Sequence, residues 1–278
     1  MRWMGCLVGA LVITAAGAAH AEPDPEDQGA RLEGCEGLPA RGKLARLEPI
    51  GEDALHAVAR SGERFVVFPV AEGHGCEVFP LGRAEARATG AFGGGATKVC
   101  ALRPPRCAAG SCYVALVARD KADRPVAALR TEASCDERVA LAAIKLFPGR
   151  DSVELTCRAS AGAGWKERRV LADVAAGAAG SAGSIEALYS LDTGSYIALS
   201  PDEKKAGKCP SQPVGSIRVE KVAEQPVLRV IDPASGRLAD GKGTLPARQL
   251  AWDRKRGEFV PTGAPDVPTK IDARACKR

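Results

Sequence analysis

This 278-residue chain reads as an all-β protein of antiparallel strands and hairpins with one short helix. Three observations support that reading. From residue 64 onward, short runs of β-branched and apolar residues alternate with clusters of Gly, Pro, Asp and Ser, the texture of strands and tight turns. Helical spacing is confined to residues 52–60, where Leu55, Val58 and Ala59 precede the stop Ser61 and Gly62. The chain also carries ten cysteines with few histidines, a ratio that suits a disulfide framework better than a metal site.

Residues 1–21 have the layout of a secretory leader. Arg2 supplies the positive start, 4–16 the apolar run, and Ala19, His20 and Ala21 the small-residue cleavage site, with cleavage expected after Ala21. That apolar run is shorter than the roughly 20 residues a membrane span needs, so no membrane span is expected, and the leader predicts a secreted or periplasmic protein. Cleavage leaves 257 residues and lowers the formal net charge from +5 to +4, because Arg2 is the leader's one charged residue. The charges are mixed along the chain, which argues against nucleic acid or an anionic membrane as partner.

Cleavage also removes Cys6, leaving Cys35, Cys76, Cys100, Cys107, Cys112, Cys135, Cys157, Cys209 and Cys276. An odd number leaves one thiol unpaired, and sequence does not determine the connectivity. Local closure favours Cys135 with Cys157, Cys209 with Cys276, Cys35 with Cys76, and one pair within Cys100, Cys107 and Cys112. The last three are six or four residues apart or more, with no histidine nearby, unlike the tight pairs of a zinc site.

Residues 22–34, acidic and Pro-containing, read as a flexible linker. A first β region is expected over 35–174, with a hairpin from 65–70 and 77–81. Further strands are expected at 98–102, 113–119, 125–129, 138–147, 152–158 and 165–174. Residues 175–184 contain only Ala, Gly and Ser, a flexible loop or joint, and a second β region follows over 185–278. Its strands are expected at 185–191, 195–199, 216–221, 226–231, 249–252 and 258–260. Ser200, Pro201 and Glu203 form a capping pattern for a turn or two of helix ending at Gly207.

Three times in the second region an apolar strand ends in Asp and restarts after Gly: 191–194, 231–236 and 252–257. Asp bonds to the backbone ahead of it and Gly takes the positive φ that closes a hairpin. This theme resembles the hairpin turns of β-propeller repeats, which implies a propeller-like stack of hairpins. Two small β-sandwich or barrel domains fit the same pattern.

Candidate chemistry is sparse. Leu191, Asp192, Thr193, Gly194 and Ser195 resemble the catalytic loop of aspartic proteases, which would make Asp192 one carboxylate of an acid–base dyad. The sequence holds no second such loop, and a hairpin turn accounts for the same residues. A serine hydrolase is disfavoured: Ala179 stands where the elbow around Ser181 needs Gly, and His56 and His74 both precede it. His74 and Cys76 are close enough for a nucleophile pair, and the unpaired cysteine would support a thiol or redox function if its pKa were low.

The glycine-rich stretch 90–98 lacks the Gly-Lys-Ser/Thr order of a phosphate loop, and Asp232, Ser235 and Asp240 lack the acidic alternation of a calcium loop. No cofactor motif emerges. Aromatic residues are few, and Trp165 and Trp252 fall at strand positions expected to be core, so a glycan platform is poorly supplied. The reading is a non-catalytic β protein that binds an unknown protein or glycan partner, or serves a structural role in the cell envelope or outside the cell.

Overall fold

The computed structural model describes residues 32, 35–51, 53–69, 75–106, 112–175, 183–197, 200–202, 211–212, 215–222, 225–231 and 242–272. It is nearly all β, in four antiparallel sheets, three of them meanders of consecutive strands and the fourth a meander whose last strand pairs back one strand further in. Sheet I holds β1 (Leu44–Pro49), β2 (Leu55–Ala59), β3 (Arg64–Pro69) and β4 (Cys76–Pro80). Sheet II holds β5 (Ala84–Thr89), β6 (Lys98–Leu102), β7 (Tyr113–Arg119) and β8 (Pro125–Ser134). Sheet III holds β9 (Arg138–Ile144), β10 (Ser152–Ala161), β11 (Gly164–Ala175), β12 (Ser184–Ile197) and β13 (Ser211–Gln212). Sheet IV holds β14 (Ser216–Val222), β15 (Gln225–Ile231), β16 (Lys242–Asp253), β17 (Glu258–Pro261) and β18 (Val267–Asp272), the last pairing with β16.

Strand alternation explains how the sheets stack. Successive side chains point to opposite faces, so a strand buried on both faces reads as a continuous apolar run. In β7, Val114, Leu116 and Ala118 face sheet III while Ala115 and Val117 face sheet I, and every one is fully buried. Strand β6 divides the same way, Val99 and Ala101 against Cys100 and Leu102. On sheet I, Val66 and Phe68 meet sheet II, while Phe65 and Val67 lie under Cys35, Leu38 and Leu44. Sheet III sends Val170, Ala172 and Val174 toward sheet II and Leu171 toward Leu228, Val230 and Leu250 of sheet IV. The result is a stack in the order I, II, III, IV.

Between described residues, disulfides tie this stack at two places. Cys35–Cys76 fastens the chain ahead of β1 to the start of β4, and Cys135–Cys157 links the end of sheet II to the middle of β10. Cys112 is disulfide-bonded as well, and Cys107, Cys209 and Cys276 lie outside the described residues. Cys100 is the free cysteine among the described residues.

Three expectations are corrected. The helix expected at 52–60 is strand β2: Leu55, Ala57 and Ala59 also fit a period of two and pack on one face. An isolated nine-residue helix is unstable in water, whereas β2 gains ladders with both β1 and β3. At the ends of the stretch 175–184, Ala175 and Ser184 pair with each other as the last rung of the β11–β12 ladder. Asp192, Thr193 and Gly194 form no hairpin turn. They lie inside β12, where Glu167 pairs with Gly194 and Arg168 with Asp192, so Thr193 is the extra residue of a β-bulge. Finally, Cys76 is bonded to Cys35, so it cannot serve as a nucleophile beside His74, which lies outside the described residues.

The sister pattern at 252–257 does make a hairpin: Asp253 Oδ1 accepts from the amides of Lys255 and Arg256, and Gly257 takes φ +68°. The third, at 231–236, lies beyond Ile231 outside the described residues, as do Asp232, Ser235 and Asp240. Pro201 and Asp202 are helical, and the rest of that expected helix is likewise outside. No helix among the described residues is long and apolar enough to cross a membrane.

Candidate functional site

The four sheets do not meet equally. Between sheets II and III the loop after β5 closes the joint at backbone level: the Ala91 amide donates to Asp151 Oδ2 at 2.8 Å and the Asp151 amide to Ala91 O at 2.9 Å. Asp151 also pairs with Lys145. A Cβ on Gly93 would overlap the Val174 carbonyl, so the glycine-rich stretch serves here as a close-packed joint.

Sheets I and II are stapled by Asp123, which takes φ 60° in the turn after β7. It accepts from Arg64 at 2.9 Å, Lys98 at 3.1 Å and the buried Arg119 at 3.1 Å. Partial burial works to raise the Asp123 pKa, but hydrogen bonds from Arg64 and Lys98 and the charges of Arg119 and Lys98 outweigh it, bringing it down to about 2.

Sheets III and IV are different. Their contact leaves a cleft of about 420 Å³, lined by Phe147, Pro148, Arg150, Gln225, Pro226, Trp252 and Arg254. Three turns build it. The β9–β10 connection supplies Phe147, Pro148 and Arg150; Gln225 and Pro226 open β15; Trp252 ends β16, with Arg254 in the next turn. Gly149 takes φ +78° there, which lets Phe147 and Arg150 flank a tight bend.

The cleft floor is aromatic. Trp252 and Phe147 line it edge-to-face with ring centroids 5.1 Å apart, and Phe259, which is not part of the lining, packs edge-to-face on Trp252 at the same distance. Trp252 is thus half-buried with a wall in the cleft, where the strand pattern had suggested core.

Its cations are arranged asymmetrically. Arg150 is held by the buried Asp173, with Nη2 at 2.6 Å and Nε at 3.1 Å from Oδ2, and Ser152 Oγ donates to Asp173 Oδ1 at 2.9 Å. Its guanidinium lies 5.1 Å from the Phe147 ring centroid, and Nη1 makes none of the contacts to Asp173. Arg254 is exposed and has no acidic partner among the described residues. Among the described residues the cleft therefore pairs an aromatic floor with one anchored and one unengaged guanidinium, and no carboxylate lines it. Such a surface can hold an acceptor-rich anion with an apolar body.

The residues singled out from sequence lie elsewhere. Asp192 has an exposed side chain and accepts from Arg168 Nε at 2.6 Å; its hydrogen-bond partner is a guanidinium where a protease dyad needs a second carboxylate. Thr193 is fully buried and donates to Glu167 Oε1 at 3.2 Å. Trp165 lies 4.1 Å under the Arg158 guanidinium on sheet III, away from the cleft-lining residues. Cys100 is fully buried between sheets I and II, and burial pushes its thiol pKa up, opposite to what a reactive thiol needs. Among the described residues no cluster of His, Cys, Asp or Glu could hold a metal ion.

Phe147, Pro148, Arg150, Asp173, Gln225, Pro226 and Arg254 were not singled out from sequence. One signal was available: two hairpin turns each place an arginine two or three residues after a strand-ending aromatic, Phe147 to Arg150 and Trp252 to Arg254. No protein-family model, curated protein or solved structure matches the chain, so its function is argued from this geometry.

Proposed function

We propose that this chain is an exported, disulfide-stabilised binding protein that works without catalysis, in the cell envelope or outside the cell, and that its ligand occupies the cleft between sheets III and IV. The leader-like residues 1–21 and bridges such as Cys35–Cys76 and Cys135–Cys157 support export, because an oxidising compartment forms and keeps such bonds. The observation that carries the binding reading is the cleft itself: an aromatic floor beside Arg254, a guanidinium with no acidic partner among the described residues. Aromatic and arginine side chains of this kind are the usual anchors of recognition surfaces.

The test uses anilinonaphthalene sulfonate, an aromatic anion whose fluorescence rises on binding. Folded protein is expected to bind it saturably at one site, and Arg254→Glu to remove that binding with the circular dichroism spectrum unchanged. Binding that is unaffected by Arg254→Glu, or absent from the folded protein, would sink the reading.

A further inference from the structure

Resting on the binding reading of this cleft, we infer that its ligand is an acidic, proline-containing peptide in an extended polyproline II conformation. The argument starts from the shape of the floor. Phe147 stands at 69° to Trp252, so the two aromatic rings that line the cleft form a ridge and present no flat platform. A pyranose ring stacks on an open, flat face. Pyrrolidine rings seat instead in the slots between aromatic ridges, which is how aromatic-lined grooves take polyproline II segments. Such a segment is already stiff and loses little conformational entropy on docking. Rigidity on the protein side matches it: Pro148 and Pro226 border the cleft, and the buried Asp173 locks Arg150.

Charge selects the flanking residues. Arg254 has no acidic partner among the described residues, and Arg150 has an Nη1 that its pairing with Asp173 leaves over. Carboxylates beside the prolines meet both guanidinium groups, while lysines there would meet only like charge. Gln225 adds an amide that can pair with the peptide backbone, which in this conformation makes no hydrogen bonds of its own.

The experiment titrates an acetylated Glu-Pro-Asp-Pro-Glu-Pro amide into the folded, disulfide-intact protein, by calorimetry and by displacement of bound anilinonaphthalene sulfonate. Comparison ligands are the same peptide with Lys for each acidic residue, the same peptide with Ala for each proline, and a galacturonate oligomer. Saturable binding of the acidic proline peptide is expected, with the Lys and Ala peptides and the oligomer weaker by at least about tenfold. Arg254→Glu is expected to weaken the acidic peptide by at least about tenfold, because it both removes an attraction and adds a repulsion. Trp252→Phe keeps a ring in place and guards against a misfolded Trp252→Ala protein; it should retain the fold and weaken the peptide. Dye bound but not displaced by the acidic peptide, equal binding of the Ala peptide, or tighter binding of the oligomer would each overturn the peptide inference while leaving the cleft a binding site. No heat from the peptide together with no dye binding would remove both.

Discussion

The joint between sheets II and III and the joint between sheets III and IV are built from the same kind of strand, yet one is closed and the other holds a cleft. Side-chain size is the difference. The II–III core is rich in small residues, among them Ala88, Ala96, Ala101, Ala118, Ala127, Ala133 and Ala172, and Gly93 lets backbone touch backbone at its rim. The III–IV core is made of Leu146, Leu171, Ile217, Leu228, Val230 and Leu250, with Phe147, Tyr189 and Phe259 packed against it. Small side chains let two sheets approach more closely, whereas large ones meet at the centre and hold the rims apart. The position of a site in this fold is thus set by where the chain spends its bulky residues.

The largest expected effect tests that contrast directly. Leu155→Ala, at a fully buried position in the closed joint, is expected to cost about 4 kcal/mol, and Leu250→Ala beside the open joint about 2 kcal/mol, read by urea denaturation. Equal losses would mean that the two joints are equally tight and that the contrast is one of shape alone.

Next comes the backbone contact. Gly93→Ala sets a Cβ against the Val174 carbonyl and is expected to destabilise by about 2 kcal/mol, with the loss also read as faster amide exchange in the loop after β5. A neutral outcome would show that the rim of the closed joint can open.

A smaller effect concerns acid, and it sharpens the comparison because Asp123 staples the other closed joint, I with II. Its folded pKa of about 2 lies below the ordinary 3.8, so the stabilisation it provides is fully present above pH 3.8 and is lost as pH falls toward 2. With the carboxylate 39% exposed, solvent screening reduces this to about 1 kcal/mol. Unfolding free energies of the native protein and Asp123→Asn should therefore differ above pH 4 and converge near pH 2. A constant difference across that range would place the staple's energy elsewhere.

The smallest effect on stability belongs to the cleft. Arg254→Glu is expected to leave unfolding within about 0.5 kcal/mol of the native protein, because the side chain is exposed and unpaired among the described residues. A larger loss would make Arg254 part of the III–IV packing and remove the distinction between a stabilising joint and a binding one.

Similar local patterns met different fates. At 191–194 and 252–257 an apolar residue, Asp and a downstream Gly recur, yet the first is a bulge inside β12 and the second a hairpin. What separates them is the neighbour. Strand β11 runs on past the bulge to pair with Gly194 and Ser195, holding β12 extended, whereas β16 folds back at Asp253 onto β17. A carboxylate on a paired strand faces whatever the opposite strand supplies, and for Asp192 that is Arg168. The protease-like loop was therefore visible as a motif and undone by its ladder. For the cleft the reverse holds: Trp252 was visible, but its turn and the turn that carries Phe147 lie more than a hundred residues apart, and the aromatic-then-arginine spacing they share does not show that they meet.

By itself the sequence determined the all-β class, most strands of the last three sheets and the hairpin at Asp253, because alternation and turn chemistry act within a few residues. It also made Cys35–Cys76 and Cys135–Cys157 legible as nearest-neighbour closures. Tertiary structure alone decided that 55–59 is a strand, that 184–197 is continuous, which face of each sheet meets which, and that Phe147, Arg150, Trp252 and Arg254 share a cleft. The reason is physical: a strand's period specifies that it has two faces, but what covers each face depends on ladders and side-chain volumes supplied by distant segments of the chain.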